Sequence, residues 1–225
     1  MPRLALMIEL ERCTGCKSCE AACKSEHALG PTERHNRVVW LGSKLEENSD
    51  NNQALDFLAL ACQHCERPAC VRACPVSPKA ISKNKETGVV TVNEDACVGC
   101  GECVTACPYG AMGFDPDGRH AVKCDLCSDR RAEGAATTAC AAVCPTKAIT
   151  FGPRDELLKT TEANNREMIK NDPFLLGPAT IYLDRITNKQ EKFDAADRNS
   201  PKVIDSFTNI SIDDTVFPYG HSRED

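Results

Sequence analysis

The stretch Cys97-Val98-Gly99-Cys100-Gly101-Glu102-Cys103-Val104-Thr105-Ala106-Cys107-Pro108 places four cysteines at C-x2-C-x2-C-x3-C spacing, with glycines inside the loop and a proline directly after it. The same spacing occurs at Cys13, Cys16, Cys19 and Cys23. Two looser versions follow: Cys62, Cys65, Cys70 and Cys74 at C-x2-C-x4-C-x3-C, and Cys124, Cys127, Cys140 and Cys144 at C-x2-C-x12-C-x3-C. Proline follows the last cysteine of every group but the first, where Lys24 stands. These groups hold all 16 cysteines of a chain of 225 residues.

Three chemistries use thiols at such density. Disulfides belong to small secreted domains in oxidising compartments. Thiols at C-x2-C spacing rarely pair structurally, and the apolar residues 4–8 before Glu9 are too few for a signal-peptide core. Zinc favours C-x2-C pairs separated by longer loops; the fourth group alone fits that pattern, but the tight triple of the first and third does not. Iron–sulfur ligation remains. C-x2-C-x2-C-x3-C-P is the bacterial ferredoxin signature, in which three thiolates of one loop hold one cluster and the fourth cysteine reaches another. Gly15, Gly99 and Gly101 let the backbone approach a cluster closely in conformations closed to other residues, and N–H groups there can point at sulfur.

Composition agrees with a chain held together by metal–thiolate bonds. The hydrophobic share is 41%, but the 16 cysteines are counted in it, and there are only 7 Phe, 3 Tyr and 1 Trp. That is a thin core for the length. The net charge of −6 argues against nucleic acid, which needs a basic face. No apolar run approaches a membrane span; the longest, over residues 54–62, is broken by Asp56.

Short strands are expected beside each loop, over residues 4–10, 80–81, 89–92, 111–114 and 148–151, with helices over 17–27 and 102–107. Glu86-Thr87-Gly88 and Asp115-Pro116-Asp117-Gly118 read as hairpin turns. The class is α+β. Residues 30–56 read as a polar insertion with an exposed loop at 46–52. A helix is expected over 155–170 and a strand over 179–183, in a cysteine-free extension that wraps the body, lies on a partner or is partly disordered. His64, between Cys62 and Cys65, reads either as loop filling or as a residue that tunes a cluster; Arg130-Arg131 reads as a charge near a cluster or a solvated face. No dinucleotide, phosphate-loop, zinc-protease or nucleophile-elbow motif is present, and no catalytic residue is assigned.

Lys123-Cys124-Asp125-Leu126-Cys127-Ser128-Asp129-Arg130, Ala139-Cys140 and Cys144-Pro145-Thr146-Lys147-Ala148-Ile149 resemble the four-cluster electron-transfer subunit of the dimethyl sulfoxide reductase superfamily of molybdenum and tungsten enzymes. Cys62-Gln63-His64-Cys65-Glu66-Arg67-Pro68-Ala69-Cys70 and Cys107-Pro108-Tyr109-Gly110-Ala111 are similarly typical, and the resemblance spans residues 4–152. It implies two nested two-cluster ferredoxin-like units. The first is formed by 1–29 and 119–152, the second by 57–118, with 30–56 inserted and 153–225 as a C-terminal extension. The implied ligand sets are Cys13, Cys16, Cys19 and Cys144; Cys62, Cys65, Cys70 and Cys107; Cys97, Cys100, Cys103 and Cys74; and Cys124, Cys127, Cys140 and Cys23. Nitrate-reductase-like members replace one cysteine of the third group with tryptophan and carry a three-iron cluster; with all four cysteines here, four [4Fe–4S] clusters are expected.

The resemblance further implies an electron conduit, with no bond-making chemistry of its own, between a large molybdenum or tungsten pterin subunit and a quinone-reactive membrane subunit, cytochrome or other redox partner. A polyferredoxin-type carrier, of a hydrogenase or free-standing, is the alternative. Membrane association would come through partners, in the cytoplasm or in the periplasm after export with a partner that bears the signal.

Overall fold

The computed structural model describes residues 2–44, 54–169 and 171–184. The chain opens with β1 (Leu4–Glu9), whose inner residues are all buried, and a single 3-10 turn, Leu10–Arg12, leads into the first cysteine loop. Helix α1 (Ser18–Glu26) then carries Cys19 and Cys23 inward. Strands β2 (Asn36–Lys44) and β3 (Ala54–Ala61) form an antiparallel hairpin that delivers the chain to Cys62. The second and third groups alternate short helices and strands: α2 (Ala69–Ala73), β4 (Ile81–Lys83), β5 (Val90–Val92) and α3 (Glu102–Ala106). Strands β6 (Met112–Asp115) and β7 (His120–Lys123) lead to the fourth group, which carries α4 (Ser128–Ala132) and α5 (Ala139–Val143). Strand β8 (Ile149–Pro153), α6 (Arg154–Ala163) and β9 (Ile181–Leu183) complete the described chain.

Pairing brings distant segments together. Strand β1 lies between β8, antiparallel, and β9, parallel; β4 pairs with β5 and β6 with β7. Helix α1 packs on α5, and α2 on α3. The largest buried cluster joins Leu6 and Ile8 of β1 with Leu58 and Leu60 of β3, Ile149 of β8, Tyr182 of β9, and Cys19, Cys62, Cys124, Cys140 and Cys144. Thiols thus sit in the core as packing atoms as well as donors.

The expected strands beside the loops and both hairpin turns are present, the turns joining β4 to β5 and β6 to β7. Two local expectations need correction. Residues 30–56 hold more than a polar insertion, because β2 and the start of β3 fall there; the acidic and asparagine run 46–52 lies outside the described residues. The helix expected over 155–170 stops at Ala163, where Asn164 and Asn165 end it, Asn165 taking a left-handed φ of 50°, a conformation that asparagine tolerates better than most residues. Over the described residues after it, up to 184, the chain returns to the body. Asp172 and Asn171 meet the hydroxyl of Tyr109, and β9 docks beside β1.

Candidate metal centres

The four loops share one backbone device. The residue two positions after the first cysteine is left-handed in every group: Gly15 (φ 71°), His64 (42°), Gly99 (69°) and Leu126 (59°). A left-handed residue among ordinary ones turns successive N–H groups into a concave nest for an anion. Accordingly, the N–H of His64 donates to Cys62 Sγ at 3.5 Å and that of Leu126 to Cys124 Sγ at 3.4 Å. The N–H of Ala139 donates to Cys127 Sγ at 3.5 Å and that of Ala148 to Cys144 Sγ at 3.2 Å. Glycine makes the turn without strain in the first and third loops. In the second and fourth, His64 and Leu126 are each 1% exposed, so burial holds the side chain where its backbone is strained.

The donor set fits iron–sulfur clusters. All sixteen cysteines are free thiols, and only Cys16 and Cys100 are exposed. Burial pushes Cys19, Cys65 and Cys70 up to about 12. Burial likewise pushes Cys103 and Cys127 to about 11, and neighbouring cysteines add to the rise in all five. Thiolates packed together away from water are unfavourable unless a cation takes the proton's place, which is the condition for tight metal binding. Cys74 and Cys144 behave otherwise. Burial would raise both, but backbone N–H groups of Val76, Ile81 and Ala80 at Cys74, and the Thr146 hydroxyl with N–H groups of Ile149 and Ala148 at Cys144, bring them below an ordinary thiol.

The thiols of different groups act on one another. Beyond burial, Cys13 lies in the field of Cys144, Cys65 in that of Cys107, Cys103 in that of Cys74, and Cys124 in that of Cys23. Cys62, Cys65, Cys70 and Cys107 line one enclosed cavity, closed by Tyr109, Met112 and Leu176. Cys19 also feels Cys140, and Cys124 feels Cys62.

His64 is held in the scaffold and also donates its N–H to Cys62 Sγ. Its Nδ1 accepts the N–H of Val90 at 3.0 Å, while its buried Nε2 has no partner among the described residues. Arg130 pairs with Glu26 at 2.9 Å, and Arg131 donates to the Leu126 carbonyl at 2.8 Å, so both brace the fourth loop. Asp125 braces it too: burial would raise its carboxyl, but hydrogen bonds from Ser128 and Cys127 and the nearby His27 hold it below the usual carboxylate range. Two histidines escape the sequence reading. His27 and His35 bring ring nitrogens within 4.8 Å of Cys23 Sγ and of each other, although they stand eight positions apart in sequence. Burial lowers His35 to about 4, with His27 adding to the effect.

Sixteen free cysteines in loops of this kind, taken with the following matches, define an iron–sulfur protein with four [4Fe–4S] clusters. A 4Fe-4S dicluster domain model matches residues 53–154, and a 4Fe-4S binding domain model matches residues 10–26. The sequence is 42% identical to the B subunit of the anaerobic dimethyl sulfoxide reductase of Escherichia coli over 156 residues, 68% of this protein and 74% of that one. It is 32% identical to the thiosulfate reductase electron transfer subunit PhsB of Salmonella typhi over 182 residues, 81% of this protein and 92% of the other. With the B subunit of the polysulfide reductase of Wolinella succinogenes it shares 37% identity over 140 residues, 62% and 71% of the two proteins. The protein belongs to the family of iron–sulfur electron-transfer subunits of the dimethyl sulfoxide reductase family. No described helix is long and apolar enough to cross a membrane.

Proposed function

We propose that this protein carries electrons along four clusters, each held by three cysteines of one group and the last cysteine of another. The sets are Cys13, Cys16, Cys19 and Cys144; Cys124, Cys127, Cys140 and Cys23; Cys62, Cys65, Cys70 and Cys107; and Cys97, Cys100, Cys103 and Cys74. The observation that carries this reading is that three cysteines of the second group, Cys62, Cys65 and Cys70, line one cavity with Cys107, the last cysteine of the third; the fields acting between Cys13 and Cys144, Cys103 and Cys74, and Cys124 and Cys23 are in keeping with it. The pairing of β1 with β8 and the packing of α1 on α5 support one ferredoxin-like unit from 1–29 and 119–152; α2 on α3 supports a second within 57–118. The hairpin β6–β7 straddles residue 118, so the two units are stitched together rather than separable.

The wire runs in the order of the neighbouring thiols. Cys19, in the field of Cys140, links the first set to the fourth-loop set; Cys124, in the field of Cys62, links that to the second-loop set, all four lying in one buried cluster; and α2 against α3 leads to the third. Both exposed cysteines, Cys16 and Cys100, then fall at the two ends. When bound, the clusters supply one-electron transfer. The protein's own part is to hold the thiolates, aim N–H groups at their sulfurs and exclude water. By family resemblance, the Cys16 end faces a molybdenum or tungsten pterin subunit. The Cys100 end faces a quinone-reactive membrane subunit or cytochrome, which holds the complex at the membrane.

Anaerobic purification of the tagged protein tests the assignment. A large pterin subunit containing molybdenum or tungsten is expected to accompany it; a monomer loaded with clusters, free of either metal and unable to bind such a subunit, contradicts it.

A further inference from the structure

Arg37 stands out among the buried polar groups. It lies on β2, in register with Leu60 of β3, two residues before Cys62. Its guanidinium reaches the turn after Cys107: Nη2 lies 3.0 Å from where a Cβ on Gly110 would stand, and the N–H of Gly110 donates to the Cys107 carbonyl at 3.1 Å. One side chain therefore ties the strand that runs beside the approach to Cys62 to the turn after Cys107, and both of those cysteines line one cavity with Cys65 and Cys70. Its Nε and Nη2 are buried and have no hydrogen-bond partner among the described residues. Buried donors of this kind call for acceptors, and a charged guanidinium left unpaired in the interior calls for a counter-charge.

We propose that Arg37 is the internal counter-cation of the cluster held by Cys62, Cys65, Cys70 and Cys107, and that it sets that cluster's reduction potential above the value the thiolates alone would give. This rests on the ligand set proposed above. A [4Fe–4S] cluster with four thiolates carries about −2 when oxidised and gains one more negative charge on reduction. A fixed positive charge favours the more negative state. Arginine keeps its proton at any ordinary pH, and burial reduces screening by salt. The electrostatics agree: burial pulls the Arg37 guanidinium down, and the field of Cys107 is the first influence to oppose it. Lys123 acts on both the Cys62–Cys65–Cys70–Cys107 set, at Cys70, and the Cys23–Cys124–Cys127–Cys140 group, at Cys124, but among the described residues only the latter has carboxylates acting on it, Asp125 on Cys23 and Asp125 with Glu26 on Cys127.

Potentiometric titration of the holoprotein, read by electron paramagnetic resonance, tests this. Cys62→Ser and Cys107→Ser first identify the cluster's signal, which both should alter. In Arg37→Met that same signal should need a lower potential, by at least tenfold in the reduced-to-oxidised ratio, about 59 mV for one electron; the other signals should stay in place. Arg37→Lys should keep most of the wild-type value, and Arg37→Gln replaces the Met variant if the latter fails to load iron. If the two serine variants alter different signals, the ligand set is wrong and the proposal falls with it. If they alter one signal and neither charge-removing variant moves it, the ligand set stands and the role of Arg37 is refuted.

Discussion

Gly99 and Gly101 show how far a single residue decides a cluster loop. Both are left-handed, at φ of 69° and 74°, but a Cβ on Gly99 would run into the Arg119 carbonyl, whereas nothing lies within 4 Å of one on Gly101. Against the protein's own atoms, Gly101→Ala should therefore meet the left-handed strain alone, about 1–2 kcal/mol. Gly99→Ala should cost more than that and lower the iron content, because the backbone carbonyl has to move. Thermal unfolding of the two holoprotein variants, with iron analysis, checks the ranking; equal losses would contradict it. These glycines are legible in the sequence as loop residues that permit close approach. The matching turns at His64 and Leu126 are not, because residues with a Cβ reach that conformation only when the surrounding fold holds them there.

Among the elements, α1 is the most informative, since it starts one cluster and leads to another. Cys19 and Cys23 lie one helical turn apart, and beyond burial the first neighbours acting on Cys23 are Cys140 and Cys127 of the fourth group. Cys23→Ser should perturb the spectrum and potential of the cluster at Cys124, Cys127 and Cys140. Serine ligates weakly, so a shifted or three-iron signal is an accepted form of the result. Loss of the Cys13, Cys16 and Cys19 cluster alone would mean that each group is self-contained. The strand β9 makes a second test. Tyr182 is fully buried and its hydroxyl accepts a hydrogen bond from Gln63, next to Cys62. Tyr182→Ala should destabilise the holoprotein by about 3–5 kcal/mol, seen as a lowered thermal midpoint. The strands beside the cysteine loops are legible because turn residues and β-branched side chains mark them. The β2–β3 hairpin is hidden: Ala54–Ala61 is rich in alanine and leucine, and a register shift between Trp40 and Gly42 interrupts its partner. Cross-strand pairing and burial against the cysteine loops override those local preferences.

For the whole molecule, the thin apolar core and the many buried thiols point the same way. The main buried cluster counts Cys19, Cys62, Cys124, Cys140 and Cys144 among its members, so stripping the metal leaves polarizable but unbridged atoms at its centre. The iron-free protein should lack a cooperative fold; a sharp thermal transition with native hydrogen-exchange protection in the apoprotein would contradict this. The chemistry of the site is legible almost entirely from spacing, because metal ligands declare themselves in sequence. The setting of the clusters is less so. Arg37 reads as one charge in a polar stretch until β2 and β3 bring it to the turn after Cys107, and the C-terminal extension discloses no role until Leu176 is seen closing the cavity of four cysteines. The central claim is that every cysteine is a cluster ligand. Iron and acid-labile sulfide per molecule, in protein purified and fully loaded without oxygen, test it most directly. The account predicts about sixteen of each and no stoichiometric zinc; about twelve irons or fewer, or zinc in whole-number amounts, would contradict it.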